Sequence, residues 1–89
     1  MNTLAKRIYN IAPESIEATF ADGSKELFEM RSAEFFQEEF QGVAARADDD
    51  REYRIITTGP DNERVLVGRE REDGGFEQVG EIIEVEPTE

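Results

Sequence analysis

Two short runs of alternating apolar residues face each other across a glycine turn, and this pattern restricts residues 14–31 to a hairpin. Ile16, Ala18 and Phe20 alternate with Glu17 and Thr19, and Phe28 and Met30 alternate with Leu27 and Glu29, the two-residue period of strands with one buried face. Ala21-Asp22-Gly23 separates them. A two-residue Asp22-Gly23 turn would set Phe20 against Lys25 and Ile16 against Glu29, mixing apolar and solvated faces. A three-residue loop with Gly23 in the left-handed region instead sets Ile16 against Phe28 and Ala18 against Glu26, which keeps the apolar set together. The spacing predicts the longer loop, with Glu26 at the rim of the apolar face and Leu27 on the other face.

The flanking segments read differently. Residues 3–12 place Leu4, Ile8 and Ile11 at helical spacing behind Asn2 and Thr3, both able to cap, and Pro13 ends the pattern. Residues 33–46 read as the main helix: Ser32 caps it, Glu34 lies near its positive end, and Phe36, Phe40, Val43, Ala44 and Ala47 form one stripe. Phe35 falls about 100° round the axis from Phe36 and outside that stripe, so it must meet the hairpin or a partner. The remainder reads as a three-stranded meander. Tyr53, Ile55 and Thr57 alternate along the first strand, and Val65 and Val67 flank Leu66 in the second. In the third, Val79 leads to Ile83 and Val85 on one face with Ile82 on the other, and Gly80 beside this change of phase marks a bulge or bend. The expected fold is α+β: a mostly antiparallel sheet of about five strands with one main helix packed on it and a short N-terminal helix. A sheet curled into a small SH3-like barrel is the alternative. One domain spans residues 1–86, followed by a flexible tail at 87–89.

Charge decides where such a domain can be stable. Twenty-two Asp and Glu stand against ten Lys and Arg, a formal net charge of −12 on 89 residues. Lys6 and Lys25 are the only lysines, unlike the Lys-rich surfaces of hyperthermophile proteins. Leu, Ile, Val and Phe make up 21 residues, about 24% and above the roughly 20% line below which a charged chain stays disordered. A folded domain follows, but one that repels itself until salt at about 1 M shortens the Debye length to roughly 3 Å. Absence of Cys excludes disulfides and thiolate metal sites, and absence of His removes the commonest metal ligand and proton shuttle. No apolar run is long enough for a signal peptide or membrane span, so a cytoplasmic location without membrane contact is expected.

Chemistry-bearing motifs are equally restricted. The chain has no phosphate loop, dinucleotide fingerprint, nucleophile elbow or zinc-protease pattern. Asp48-Asp49-Asp50 lacks the spacing of a Ca²⁺ loop and reads as a solvated acidic turn. Neither a catalytic site nor a cofactor or metal site is expected, and the chain reads as a non-enzyme. Residues 51–71 carry +1 while 14–50 carry −8 and 72–89 carry −7, which makes the meander an arginine-bearing island. Its arginines either pair with Glu52, Glu63 and Glu70 across strands or form a recognition face.

Across its whole length the chain resembles the small acidic proteins of haloarchaea. The shared features are the Asp/Glu excess, the bias of Arg over Lys and the stretch Ala18-Thr19-Phe20-Ala21-Asp22-Gly23-Ser24. The resemblance implies a halophilic cytoplasm and assigns no functional residue. The expected function is a protein-interaction module, a homodimer or a domain with another protein partner. It would use spare apolar surface or a free sheet edge, with Phe35, Leu27, Ile56, Arg54, Arg64 and Arg69 as the interaction residues. The alternative is a DNA-linked transcription accessory reading nucleic acid through Lys6, Arg7, Arg51 and Arg54, against a net charge of the wrong sign.

Screening makes the first prediction. Thermal melts followed by circular dichroism should shift upward by tens of degrees between millimolar and about 2 M KCl, and melting curves indifferent to KCl would refute a salt-dependent fold.

Overall fold

A computed structural model describes residues 3–12, 14–37, 39–46, 49–59 and 63–88 of the chain. The order is α1 (Thr3–Ile11), β1 (Ile16–Phe20), β2 (Lys25–Phe36), β3 (Glu39–Arg46), β4 (Asp49–Thr58), β5 (Arg64–Glu70) and β6 (Phe76–Pro87). Each strand pairs antiparallel with the next, and β6 returns to pair with β1, so the six strands form a closed barrel. Closure leaves no sheet edge of the ordinary kind.

The first hairpin is built as its spacing predicts. Ile16 pairs with Phe28 and Ala18 with Glu26. Gly23 has φ 89°, its N–H donates to Phe20 O at 2.9 Å, and Phe20 N–H donates to Ser24 O at 2.8 Å. The Asp22 carboxylate accepts from the Ser24 N–H at 2.9 Å and from its hydroxyl at 2.6 Å. The same turn recurs between β5 and β6: Gly74 has φ 90°, Arg71 N–H donates to Gly75 O at 2.7 Å, and the Asp73 carboxylate accepts from Gly75 N–H at 3.0 Å. Asp-Gly placed after one further residue is the recurring unit.

The expected main helix over 33–46 does not exist. Ser32 to Phe36 complete β2, and Glu39 to Arg46 form β3. Phe36 and Phe40, neighbours on a helical stripe, diverge: Phe36 is 74% exposed and Phe40 1%. Arg31 is bulged out of the β2–β3 register, which shifts between Met30 and Ser32, so the inward phase passes from Phe28 and Met30 to Ala33 and Phe35. A tight connection starting at Gln37, φ 59°, then reverses the chain between the paired Phe36 and Glu39. Residues spaced at i, i+4, i+7 and i+8 fit a helix and an interrupted pair of strands equally well, and the helix-forming Glu, Gln and Ala yielded to barrel packing. The α+β expectation is therefore corrected to a six-stranded barrel with one short helix. The sheet closes with six strands in an uninterrupted meander rather than the expected five or so carrying a main helix, and it is not the small SH3-like sheet given as the alternative either.

Large and small residues alternate to fill the interior. Phe20, Phe28, Met30, Phe40, Tyr53, Ile55, Val65, Val67, Ile82 and Val85 are buried beside Ala18 and Ala44. A Cβ on Gly42 would lie 3.0 Å from Met30 Cε and 3.2 Å from the Phe40 ring, so absence of a side chain admits both. The Thr57 hydroxyl accepts the buried Phe40 N–H at 2.9 Å where the β3–β4 ladder runs out. Helix α1 plugs this end of the barrel with buried Ala5 and Ile8, and Arg7 Nε donates to Val85 O at 2.6 Å. Pro13, Ala47 and Asp48 lie outside the described residues, as do the side chains of Asp49 and Asp50.

The last strand departs from its expected phase. Val79 is bulged against β5 and Ile83 against β1, so Ile82 and Val85 both face inward while Val79 and Ile83 stay exposed. The expected tail at residue 87 is also revised: Pro87 pairs with Ile16, and Thr88 N–H donates to Ser15 O at 3.2 Å. Gly80, the residue expected at the bend, lies beside the Val79 bulge where a Cβ would sit 2.6 Å from Phe20 Cδ1.

That close approach predicts a specific epistasis. Gly80→Ala should cost about 1–3 kcal/mol in urea denaturation through overpacking, and in a Phe20→Leu background the same change should cost less. Equal costs in both backgrounds would show that the ring is not what excludes the methyl group.

Candidate functional site

Register divides the arginine island between the two faces of the barrel wall. Arg54, Gly68 and Gln78 share one outward row across β4, β5 and β6, and Ile56, Leu66 and Glu81 share the next. Gly68 carries no side chain, which leaves a hollow between the Ile56–Leu66 ridge and Phe76. The Arg54 guanidinium lies across it, 4.6 Å from the centre of the Phe76 ring. The resulting groove of about 310 Å³ is lined by Arg54, Ile56, Leu66, Gly68, Phe76 and Gln78 among others. Ile56 is 40% exposed, in a position where a strand of a monomer would ordinarily present a polar side chain. Ile56 and Arg54 are thus brought together as an exposed apolar and cationic patch.

The other expected interaction residues are placed elsewhere. Phe35 is committed within the chain, its ring 5.3 Å from Tyr9 and 5.2 Å from Phe40. Leu27 is 52% exposed, on the wall opposite Glu17 and away from the groove. Arg64 bonds Glu81 at 2.9 Å, and this partnership raises its pKa. Arg69 shares the inward row of Tyr53 and donates to Glu77, which pulls the Glu77 carboxyl below its ordinary range. The arginines find their partners chiefly in β6 and its turn: Arg51 lies 3.9 Å from Glu72 and Arg71 3.0 Å from Asp73, while Arg54 bonds Glu52 on its own strand at 3.3 Å. The residues named for nucleic acid do not form one face. Lys6 and Arg7 are on the helix at the plugged end, where Arg7 meets Val85, and Arg51 lies by the 72–75 turn at the far end of β6.

A second concave site lies at that far end, where the barrel mouth is open. Its cavity of about 310 Å³ is lined by Phe20, Phe28, Tyr53, Arg46, Arg69 and Gly80 among others. Arg46 bonds Glu26 at 3.0 Å and its guanidinium carbon lies 5.7 Å from the Tyr53 ring centre. Sequence reasoning placed Tyr53 correctly on an inward face but took no account of its hydroxyl. A buried tyrosine needs a polar partner, and that requirement was the available signal for cations at this end.

Asp22 and Glu77 are the carboxyls with lowered pKa among the described residues, Asp22 through its bonds from the Ser24 hydroxyl and N–H and Glu77 through Arg69. A depressed carboxyl contributes stability at neutral pH that is lost as acidification passes below its ordinary range. No cluster of three or more metal-ligating side chains occurs among the described residues, and no helix among them is long and apolar enough to cross a membrane.

The family described as Domain of unknown function (DUF8072) matches residues 1–89, and the chain belongs to it. No curated protein and no solved structure matches the chain.

The cation–π contact over the groove is open to measurement. A double-mutant cycle between Arg54→Ala and Phe76→Ala should return a coupling of about 0.5–1 kcal/mol in folding stability, and additive effects would show that the stacked guanidinium is energetically idle.

Proposed function

We propose that this member of the DUF8072 family is a non-enzymatic interaction module of a halophilic cytoplasm that pairs with a second copy of itself through the outer face of β4, β5 and β6. The observation that carries the reading is the ridge of exposed Ile56 and half-buried Leu66 beside the Gly68 hollow. A two-fold axis sets a surface against itself, so a stable contact needs features that complement their own copies. A ridge next to a hollow meets that need, because each ridge enters the other copy's hollow.

Charge supports the same occupant. The patch holds the outward Arg54 and is rimmed by Glu52 and Glu81, so two copies in antiparallel register place cation against carboxylate at both edges. Most other surfaces of a molecule with net charge −12 repel their own kind. A closed barrel also has no free edge to extend, so the expected edge-pairing route gives way to face-to-face docking. Salt favours such a pair by screening the excess carboxylates while leaving apolar burial intact.

Analytical ultracentrifugation in about 2 M KCl should show a concentration-dependent dimer for the wild type and a monomer for Ile56→Glu, with unchanged circular dichroism. A wild type that stays monomeric across the accessible concentrations would end the proposal.

A further inference from the structure

The two ends of the barrel are finished differently. Helix α1 fills one end with Ala5 and Ile8, whereas the other opens through a mouth of about 310 Å³. Mouths of small barrels and volumes near 300 Å³ are where compact ligands bind. The walls at this end are aromatic: Phe28 lies 6.3 Å from Phe20 and 5.5 Å from Tyr53, both edge to face. Above them are two guanidinium groups, Arg46 and Arg69, in a protein with more than twice as many acidic as basic side chains.

One donor there goes unmatched among the described residues. A guanidinium offers five N–H groups and accepts nothing. Glu26 reaches Arg46 through Nη2, and Glu77 reaches Arg69 through Nη2. The Tyr53 oxygen is a further acceptor for Arg69. Arg69 Nε is nevertheless buried with no acceptor among the described residues, and an unmet buried donor is costly unless something accepts from it. A purely structural arginine at a solvated rim has no need to turn its Nε inward.

The lining also limits the charge of what enters. Asp22, Glu26 and Glu77 stand beside the two arginines, leaving the mouth one negative charge in excess. Asp22 is held at the rim by Ser24, and the Glu81 carboxylate is held on the outer face by Arg64. A dianion would meet repulsion there, while one carboxylate group can be held by charge-assisted bonds.

We propose that the barrel mouth is a binding site for a small monocarboxylate with a compact aromatic or branched apolar body. The carboxylate lies against Arg69 and Arg46 at the wall that includes Tyr53, and the body lies against Phe20, Phe28 and Val79. Entry shifts Arg69 enough to bring Nε into contact, which its exposed Glu77 partner permits. The site lies on the inner side of the wall and at the open end, so it is independent of the outer face proposed for self-association.

Benzoate, benzamide and phenyl phosphate serve as probes of equal ring size and different charge, titrated at fixed ionic strength into ¹⁵N-labelled protein. Benzoate should shift the amides of Glu26, Tyr53, Arg69 and Gly80 saturably, with benzamide about tenfold weaker and phenyl phosphate weaker than benzoate. Arg69→Gln should weaken benzoate about tenfold and leave benzamide unchanged. Val79→Trp should fill the mouth and remove both, and it decides the matter if Arg69→Gln does not fold. Equal binding of benzoate and benzamide, tighter binding of phenyl phosphate, or shifts confined to the outer groove around Ile56 and Phe76 would each overturn the assignment. Absence of shifts with any probe would do the same.

Discussion

The pairing of β1 with β6 is the contact on which the rest of this architecture depends. Five ladders join neighbours in the chain, but this one joins Ile16 to Pro87 and converts a curled sheet into a closed wall. Only a closed wall can hide the fifteen apolar side chains buried among the described residues of so small a domain. Its requirements explain the rest. Strands must bend, and bulges at Arg31, Val79 and Ile83 let them do so. The bore must be filled without voids, so Gly42, Ala18 and Ala44 face Met30, Phe40 and the ring of Tyr53. Helix α1 completes the enclosure and is fastened to β6 by Arg7.

Much of this was legible wherever turn chemistry and two-residue alternation agreed. The Asp22-Gly23 loop and its register followed from asking which pairing kept Ile16, Ala18, Phe20, Phe28 and Met30 together. Tyr53, Ile55 and Thr57, and Val65 with Val67, are inward as their alternation requires. Residues 33–46 were not legible because one bulge and one tight reversal reset the phase twice within a few residues. That reset left a spacing that a helix also satisfies. Gly42 in the middle of the supposed stripe was the overlooked sign, since a glycine there weakens a helix and fits a crowded bore. At the surface, Ile56 and Arg54 emerged as neighbours, but Phe35 turned inward to Tyr9 and Phe40. Arg46 was missed because a lone arginine at a strand end has no pattern to read.

Electrostatics act on this frame without determining it. Twelve excess negative charges occupy a body whose radius of gyration is 11.9 Å, close to the Debye length of about 10 Å at 0.1 M salt. At that concentration nearly every surface carboxylate still interacts with many others, and only stronger salt makes the repulsion local. The pleat distributes the few cations with consequence. Arg54 and Arg64 face outward, Arg69 faces inward, and β6 with its turn supplies Glu77, Glu81 and Glu72 as partners. One strand thereby neutralises most of the arginine-bearing wall and leaves guanidinium groups lining two hollows, the groove and the mouth.

Closure between residues 16 and 87 has a consequence in time. A chain leaving the ribosome cannot complete its wall until the last strand has emerged, and until then β1 waits with one side unmated. Its five residues, Ile16 to Phe20, hold a single charge and no proline, a composition that invites adhesion between nascent chains. The strand it waits for carries Glu77, Glu81, Glu84 and Glu86, so the late-arriving side is protected by its own charge and the early one is not. Errors of biosynthesis should therefore begin at β1, and fast delivery of β6 is the safeguard the topology demands.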